Sequence, residues 1–228
     1  MECITSSLDL FSKPPLDTSV DHVEDIEILP LSGITNDSAI DLVIPPLTSQ
    51  YIDLSKTLLH LKIKVSSTDT ANGIPANSVA LIPLWPQALF RQIDMYLGQT
   101  LISTSTNQSP YRAWIETILS FPKNVQSDQL KVLEYIDGVT LPASKSGNKT
   151  LEALTRLNLD MMQQSRYLLN GVGVSIRLYR NSDAFVFKLA SGLDSANYTI
   201  SIEDISLFVR LVTPVSYTHL TLPTILLV

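Results

Sequence analysis

Apolar and polar residues alternate one for one over several stretches of the chain. In Tyr51–Val65, the residues Leu59, Leu61, Ile63 and Val65 take one face, and His60, Lys62 and Lys64 the other. Successive side chains on a strand point to opposite sides, so this predicts a half-buried antiparallel strand. Arg91–Leu97 has the same period, with Ile93, Met95 and Leu97 against Gln92, Asp94 and Tyr96. Gly98 then permits a tight reversal, and Leu101–Ser103 runs back as the partner. Ile40, Leu42 and Ile44 form a shorter row, closed by Pro45 and Pro46. Val172, Val174, Ile176 and Leu178 form another, and after a turn at Asn181–Asp183 the residues Phe185, Phe187 and Leu189 are expected to return as its partner. Tyr198, Ile200 and Ile202 share a face, then Ile205, Leu207, Val209 and Leu211 do. The phase slips by one at Glu203–Asp204, which predicts a β-bulge.

The period changes after the polar run Ser103–Ser109. Tyr111, Trp114, Ile115, Ile118 and Leu119 fall at i, i+3, i+4, i+7 and i+8, one stripe of a helix. Ser109 is expected as N-cap, Pro110 as the first helical residue and Pro122 as the stop. The stripe is expected to face inward with Trp114 as an anchor. Ser127–Ile136 is a second candidate helix. Val79–Leu89, broken by Pro83 and Pro86, fits no long element. The expected core anchors are Trp85, Trp114, Phe90, Phe185 and Phe187. The strand-like segments number about eight, with helices between strands rather than alternating with them, so the expected fold is all-β: an antiparallel jelly-roll β-sandwich with short inserted helices.

Composition narrows the function. The 228 residues are 45% hydrophobic and 17% charged, as in a globular chain with a sizeable core. A net charge of −6 argues against a coat for nucleic acid, which needs a Lys/Arg surplus. Cys3 is the sole cysteine, so no intrachain disulfide forms and a reducing compartment is the default. His22, His60 and His219 are far apart and suggest no ligand cluster. Asp21, Glu24, Asp25 and Glu27 match no calcium-loop spacing and read as a solvated edge. Met1–Lys13 has no basic start or apolar stretch of a secretory signal, no run reaches membrane-spanning length, and the sequons at Asn36, Asn107, Asn148 and Asn197 read as chance. No nucleophile elbow, Walker loop or zincin motif occurs. Gly171-Val172-Gly173 reads as a tight turn, not a phosphate cradle. Asp183 and Asp204 form one of many acid pairs that 22 acids permit. Arg91, Arg112, Arg166, Arg177, Arg180 and Arg210 are spread through the elements, where ion pairs are the expected use of some. An enzyme is not expected, nor any catalytic, metal or cofactor residue.

The segments LFRQIDMYLGQTLIST (Leu89–Thr104) and SPYRAWIETILSF (Ser109–Phe121) resemble the first jelly roll of the double jelly-roll major capsid proteins, in particular those encoded by Maverick/Polinton elements and their adintovirus-like relatives. LDLFSKPP at Leu8–Pro15, YIDLSKTLLHLKIKV at Tyr51–Val65, RYLLNGVGVSIRLYRNSDAFVF at Arg166–Phe187 and YTISIEDISLFVRLV at Tyr198–Val212 resemble the family in the same order. The resemblance implies two jelly rolls in tandem. It also implies three chains in a pseudo-hexameric capsomer, an icosahedral shell, a place in the virion and no cofactor. Self-association and other capsid proteins are then the expected partners, with no membrane span. The expected organisation is an arm at Met1–Asp21, a jelly-roll domain at His22–Pro214 and a tail at Val215–Val228. Two features depart from the family. The second roll is missing, and SYTHLTLPTILLV at Ser216–Val228 resembles a translated sequencing adapter. Loops Ser66–Ser78 and Gly138–Lys149 are the expected contact regions. The alternatives are a single jelly-roll vertex protein, a carbohydrate-binding β-sandwich and a cupin-like enzyme.

Overall fold

A computed structural model describes residues 19–34, 39–68, 74, 79–103, 106–122, 125, 148–190 and 193–215. The strands are β1 Val20–Ile28, β2 Ile40–Ile44, β3 Tyr51–Ser67, β4 Val79–Leu81, β5 Phe90–Leu97, β6 Thr100–Leu101, β7 Asn148–Thr155, β8 Val174–Arg180, β9 Phe187–Leu189 and β10 Tyr198–Pro214. The helices are α1 Trp85–Ala88, α2 Ser109–Ser120 and α3 Asp183–Val186. One sheet has the order β1-β10-β3-β7, a second β2-β8-β5-β6, and β4 pairs with β9 as a small ribbon. Every pairing is antiparallel. The chain crosses repeatedly between the two four-stranded sheets, which is the eight-strand jelly roll.

The period-2 rows build the interior. Leu59, Leu61, Ile63 and Val65 of β3 lie opposite Leu207, Ile205, Ile202 and Ile200 of β10. All eight are buried. Ile40, Leu42 and Ile44 of β2 lie opposite Leu178, Ile176 and Val174 of β8, which face Ile93, Met95 and Leu97 of β5 on the other side. The two inner faces close on one cluster. Because strand side chains have a period of two, an extra residue is needed wherever a row changes phase. In β10 it is Glu203, between Ile202 and Asp204, as the sequence indicates.

The same device occurs in β3, where the sequence did not announce it. Phe208 pairs with Leu58 and Arg210 with Asp53, so four residues of β3, Leu54–Thr57, stand opposite one of β10, Val209. The carboxylate of Asp53, only 8% exposed, accepts from the Ser55 backbone N–H at 3.0 Å and its hydroxyl at 2.6 Å. These bonds hold the excess residues in a defined bulge.

Three expectations are corrected. The run Phe185–Leu189 is not the return partner of β8. Asp183–Val186 winds into α3, and Phe187–Leu189 pairs with β4 instead. Asp183 accepts from Arg180 at 2.7 Å and from the Ile200 backbone N–H at 3.0 Å, which ties α3 to β8 and β10. Helix α2 is capped by Gln108 rather than Ser109. The third correction concerns the face that α2 buries, described below. Trp85 and Phe90 lie in the core and Phe187 is buried. Phe185 is half-buried and stacks edge-on with Tyr111 at 5.9 Å between ring centroids. The tight turn at Gly171 has φ +80°, and its N–H donates to the Leu47 carbonyl at 2.7 Å. Residues 1–18 of the expected arm, Ser127–Ile136, most of both expected contact loops and Ser216–Val228 lie outside the described residues, and the last two residues of that arm, Val20 and Asp21, belong to β1.

Candidate functional site: the outer faces and the flank carrying α2

Helix α2 follows the β5–β6 hairpin and packs beside β5 and α1. Its inward residues are small: Ala113 and Thr117 are buried. Its two charged residues also turn toward its own domain. Glu116 accepts from Arg112 Nε at 2.6 Å, Asn158 Nδ2 at 3.0 Å and Gln163 Nε2 at 2.8 Å. Arg112 also pairs with Asp160. The Asp160 bond is the main cause that raises the Arg112 pKa above its ordinary value. In the reverse direction, the Arg112 hydrogen bond lowers that of Asp160. Ion pairs and amides therefore fasten the helix, in place of its apolar stripe.

That stripe points away from the core. Trp114 is 40% exposed, so it is not the core anchor that its size suggested. Ile115, Ile118 and Leu119 are exposed at 55%, 46% and 80%. Monomeric domains normally place such a stripe inward, and contiguous exposed apolar surface marks interaction sites. Between α2, the hairpin and Asn158–Leu159 lies an open cleft of about 410 Å³ lined by Ile93, Ser103, Arg112, Ile115, Glu116 and Leu159, among others. The two charged groups among its described lining residues, Arg112 and Glu116, are paired with each other.

The outer sheet faces carry matched charge rows. On the first sheet, Asp25, Arg210 and Asp53 stand side by side on β1, β10 and β3. Arg210 grips Asp25 through two bonds of 2.9 Å. This bond is the largest cause lowering the Asp25 pKa and raising that of Arg210. On the second sheet, Asp41, Arg177 and Asp94 stand on β2, β8 and β5. Arg177 holds Asp41 at 2.6 and 3.2 Å, which drives its pKa upward. Asp94 is buried and accepts from Gln92 at 2.9 Å on each oxygen. Exposed pairs contribute little stability each. Each arginine offsets one of the two carboxylates in its row, so each row keeps a net negative charge while the pair spans neighbouring strands.

Four of the six arginines singled out in the sequence are thus in ion pairs: Arg112, Arg177, Arg180 and Arg210. Arg91 and Arg166 are exposed. His60 lies 2.7 Å from Glu152 on the outer face. Asp183 and Asp204 are not brought together as a site: Asp183 holds Arg180, and Asp204 pairs across the sheet with Lys62. Among the described residues, no group of three or more His, Cys, Asp or Glu side chains is placed to hold a metal. No helix there is long and apolar enough to cross a membrane. The outward stripe of α2 was missed because periodicity locates an apolar face without saying what meets it. A signal was nevertheless present. Arg112 and Glu116 flank Ala113 and Thr117 on the turn opposite the large apolar residues, and Asn158, Asp160 and Gln163 supply matching polar groups.

The architecture is that of the jelly rolls found in viral capsids. A Sputnik virophage structure solved by cryo-electron microscopy superposes with a TM-score of 0.58 at 10% identity, over 94% of this chain and 53% of that one. PBCV-1 VP54, a crystal structure fitted into a Sputnik reconstruction, gives 0.54 at 10% identity, over 92% and 46%. The mavirus major capsid protein gives 0.50 at 11% identity, over 96% and 51%. The Caenorhabditis elegans protein F54H12.2, itself uncharacterised, is 23% identical over 152 residues, covering 60% of this chain and 36% of that protein. No protein-family model matches the sequence. The chain spans about half the length of the solved structures it matches, and about a third of the nematode protein.

Proposed function

We propose that this chain is a structural capsid protein of the major, hexon-forming type, and that its work is to associate with copies of itself into a shell. One observation carries the reading. The whole jelly roll matches one half of capsid proteins, and its flanking helix turns an apolar face outward. A domain built for a reaction would gather ionisable groups in its cleft. Here Arg112 and Glu116 fasten α2, and Arg177 and Arg210 bridge neighbouring strands. The sequence resemblance supports the finer reading: the first roll of a Maverick/Polinton-type double jelly roll, assembling as a trimer within a virion. On this reading the arm expected at Met1–Asp21 is the part ahead of β1, which itself takes up Val20 and Asp21, and Ser216–Val228 is foreign to the native protein.

Two experiments test this. The genomic DNA beyond the codon for Pro214 is read first. A further β-rich segment of similar length supports the double roll, whereas a natural stop there favours the single-roll vertex protein. The protein encoded by that full reading frame is then purified and imaged by negative-stain electron microscopy. Capsomers or shells are the expected result. A monodisperse monomer that binds a sugar or a metal overturns the capsid reading.

A further inference from the structure

We propose that α2 is an acid-released latch: two carboxylates, those of Glu116 and Asp160, hold the helix to the jelly roll, and their protonation frees it while the two sheets stay folded. The helix has little else to hold it. Its buried residues are Ala113 and Thr117, while Ile115, Ile118 and Leu119 lie exposed on its other side. Side chains that small bury little apolar area, so their packing contributes little to docking. The helix ends add no support: the N-cap Gln108 makes no side-chain cap hydrogen bond, the first turn has no acid and the last turn no base. A helix of 12 residues without such support is marginal away from its docking surface. The bonds that cross from α2 to the turn at 158–163 end on the two carboxylates. Glu116 accepts from Asn158 at 3.0 Å and from Gln163 at 2.8 Å. Asp160 accepts from Arg112, whose Nε also donates to Glu116 at 2.6 Å.

The charged neighbours do not substitute for these two groups. On α2 the titratable residues are Tyr111, Arg112 and Glu116. Helix α1, which packs against it, has none. Strand β5 carries Arg91, which is exposed, and Asp94, which is bonded to Gln92. On α3, whose Phe185 stacks on Tyr111, Asp183 is bonded to Arg180. Protonation turns a charged acceptor into a neutral group that holds the same donors about half as strongly. For Asp160 the Arg112 hydrogen bond lowers the folded pKa below 3.8. Its hold is therefore full above the unfolded value and lost as pH falls through the folded one. The sheets instead close on an apolar interior, which has no proton to gain. Release uncovers Ile93 and Leu159 in the cleft beside the helix. The latch is a property of one chain and stands apart from the self-association reading. Where copies associate, release withdraws the α2 stripe from the neighbour.

The test follows hydrogen exchange in the full chain at a series of pH values from about 6 down to about 2.5, with each segment's protection taken relative to its intrinsic exchange rate at that pH. Protection over residues 111–120 is expected to fall at least about tenfold at a pH where β3 and β10 hold theirs within about threefold. In the double variant Glu116→Gln/Asp160→Asn neither side chain titrates. Its α2 is expected to be open already at about pH 6 and to lose no more protection on acidification. Protection of β3 and β10 in the same sample reports that the roll is folded. Loss of protection in α2 and the sheets together is ordinary acid unfolding and rules the latch out. So does an α2 that stays protected throughout the series, or a double variant whose helix is closed at about pH 6 or still opens as the pH falls. None of these results bears on the imaging of the full-frame protein, by which the capsid reading stands or falls.

Discussion

Replacing Glu116 with alanine tests whether ion pairs and amides, in place of an apolar face, hold α2 to the sandwich. The Glu116 carboxylate is the common acceptor for Arg112, Asn158 and Gln163 at 2.6, 3.0 and 2.8 Å. Its side chain is 25% exposed and that of Arg112 is 32% exposed. Water therefore replaces part of what is lost, and each bond contributes less than a buried bond to a charged acceptor does, about 0.5–1 kcal/mol. Three such bonds give a destabilisation of about 2 kcal/mol. In a chain of this size that lowers Tm by roughly 4–8 °C. Glu116→Gln keeps the shape and one carbonyl oxygen but places an amide against donors, so it is expected to fall between the parent and the alanine variant. Urea unfolding followed by far-UV circular dichroism measures both. Hydrogen exchange on Tyr111–Ser120 should rise in Glu116→Ala ahead of exchange in β3 and β10. A loss below about 0.5 kcal/mol with unchanged α2 exchange would refute this account of the helix.

Further outcomes follow from the core, the turns and the charge rows. Leu61→Ala removes a fully buried side chain between β10 and β7, and should cost about 2–5 kcal/mol in urea unfolding. Gly171→Ala meets no atom within 4 Å of the added carbon but keeps φ at +80°, so the loss should be only the conformational term, about 1 kcal/mol. Asp25 and Asp160 have folded pKa values lowered below 3.8 by Arg210 and Arg112. Their contribution is full above the unfolded value and lost as pH falls through the folded one. The double variant D25N/D160N should accordingly be slightly less stable than the parent near neutral pH, with the two urea midpoints converging below about pH 4.

Where a row of apolar residues meets its own core, the strands were legible in the sequence. β3, β8 and β10 showed both period and face, because each has one side in the interior and one outside. The Glu203 bulge was legible as well, since a phase slip within one long strand has few other causes. Legibility failed where the outcome depended on a partner distant in sequence. Phe185, Phe187 and Leu189 alternate as a strand would. Asp183, however, anchors a helical turn through Arg180 and Ile200, and only then does the chain meet β4. The β3 excess at Leu54–Thr57 was hidden because Ile52 and Leu54 continue an apparent alternation. Only the β10 register reveals it. The charge rows were invisible for the same reason: Asp25, Arg210 and Asp53 become neighbours only once the strand order is known. For α2, the period defined the stripe correctly and the direction wrongly. An apolar helix face looks the same in sequence whether its own core or another subunit covers it.

The most direct measurement of the central claim is electron cryo-microscopy of whatever the purified full-frame protein assembles into, at a resolution that places α2. The expected map shows jelly rolls side by side, with the Ile115–Ile118–Leu119 face of one buried against a neighbouring roll. A map in which that face looks into solvent while a ligand fills the cleft beside it would contradict the claim that this domain works by packing against its own kind.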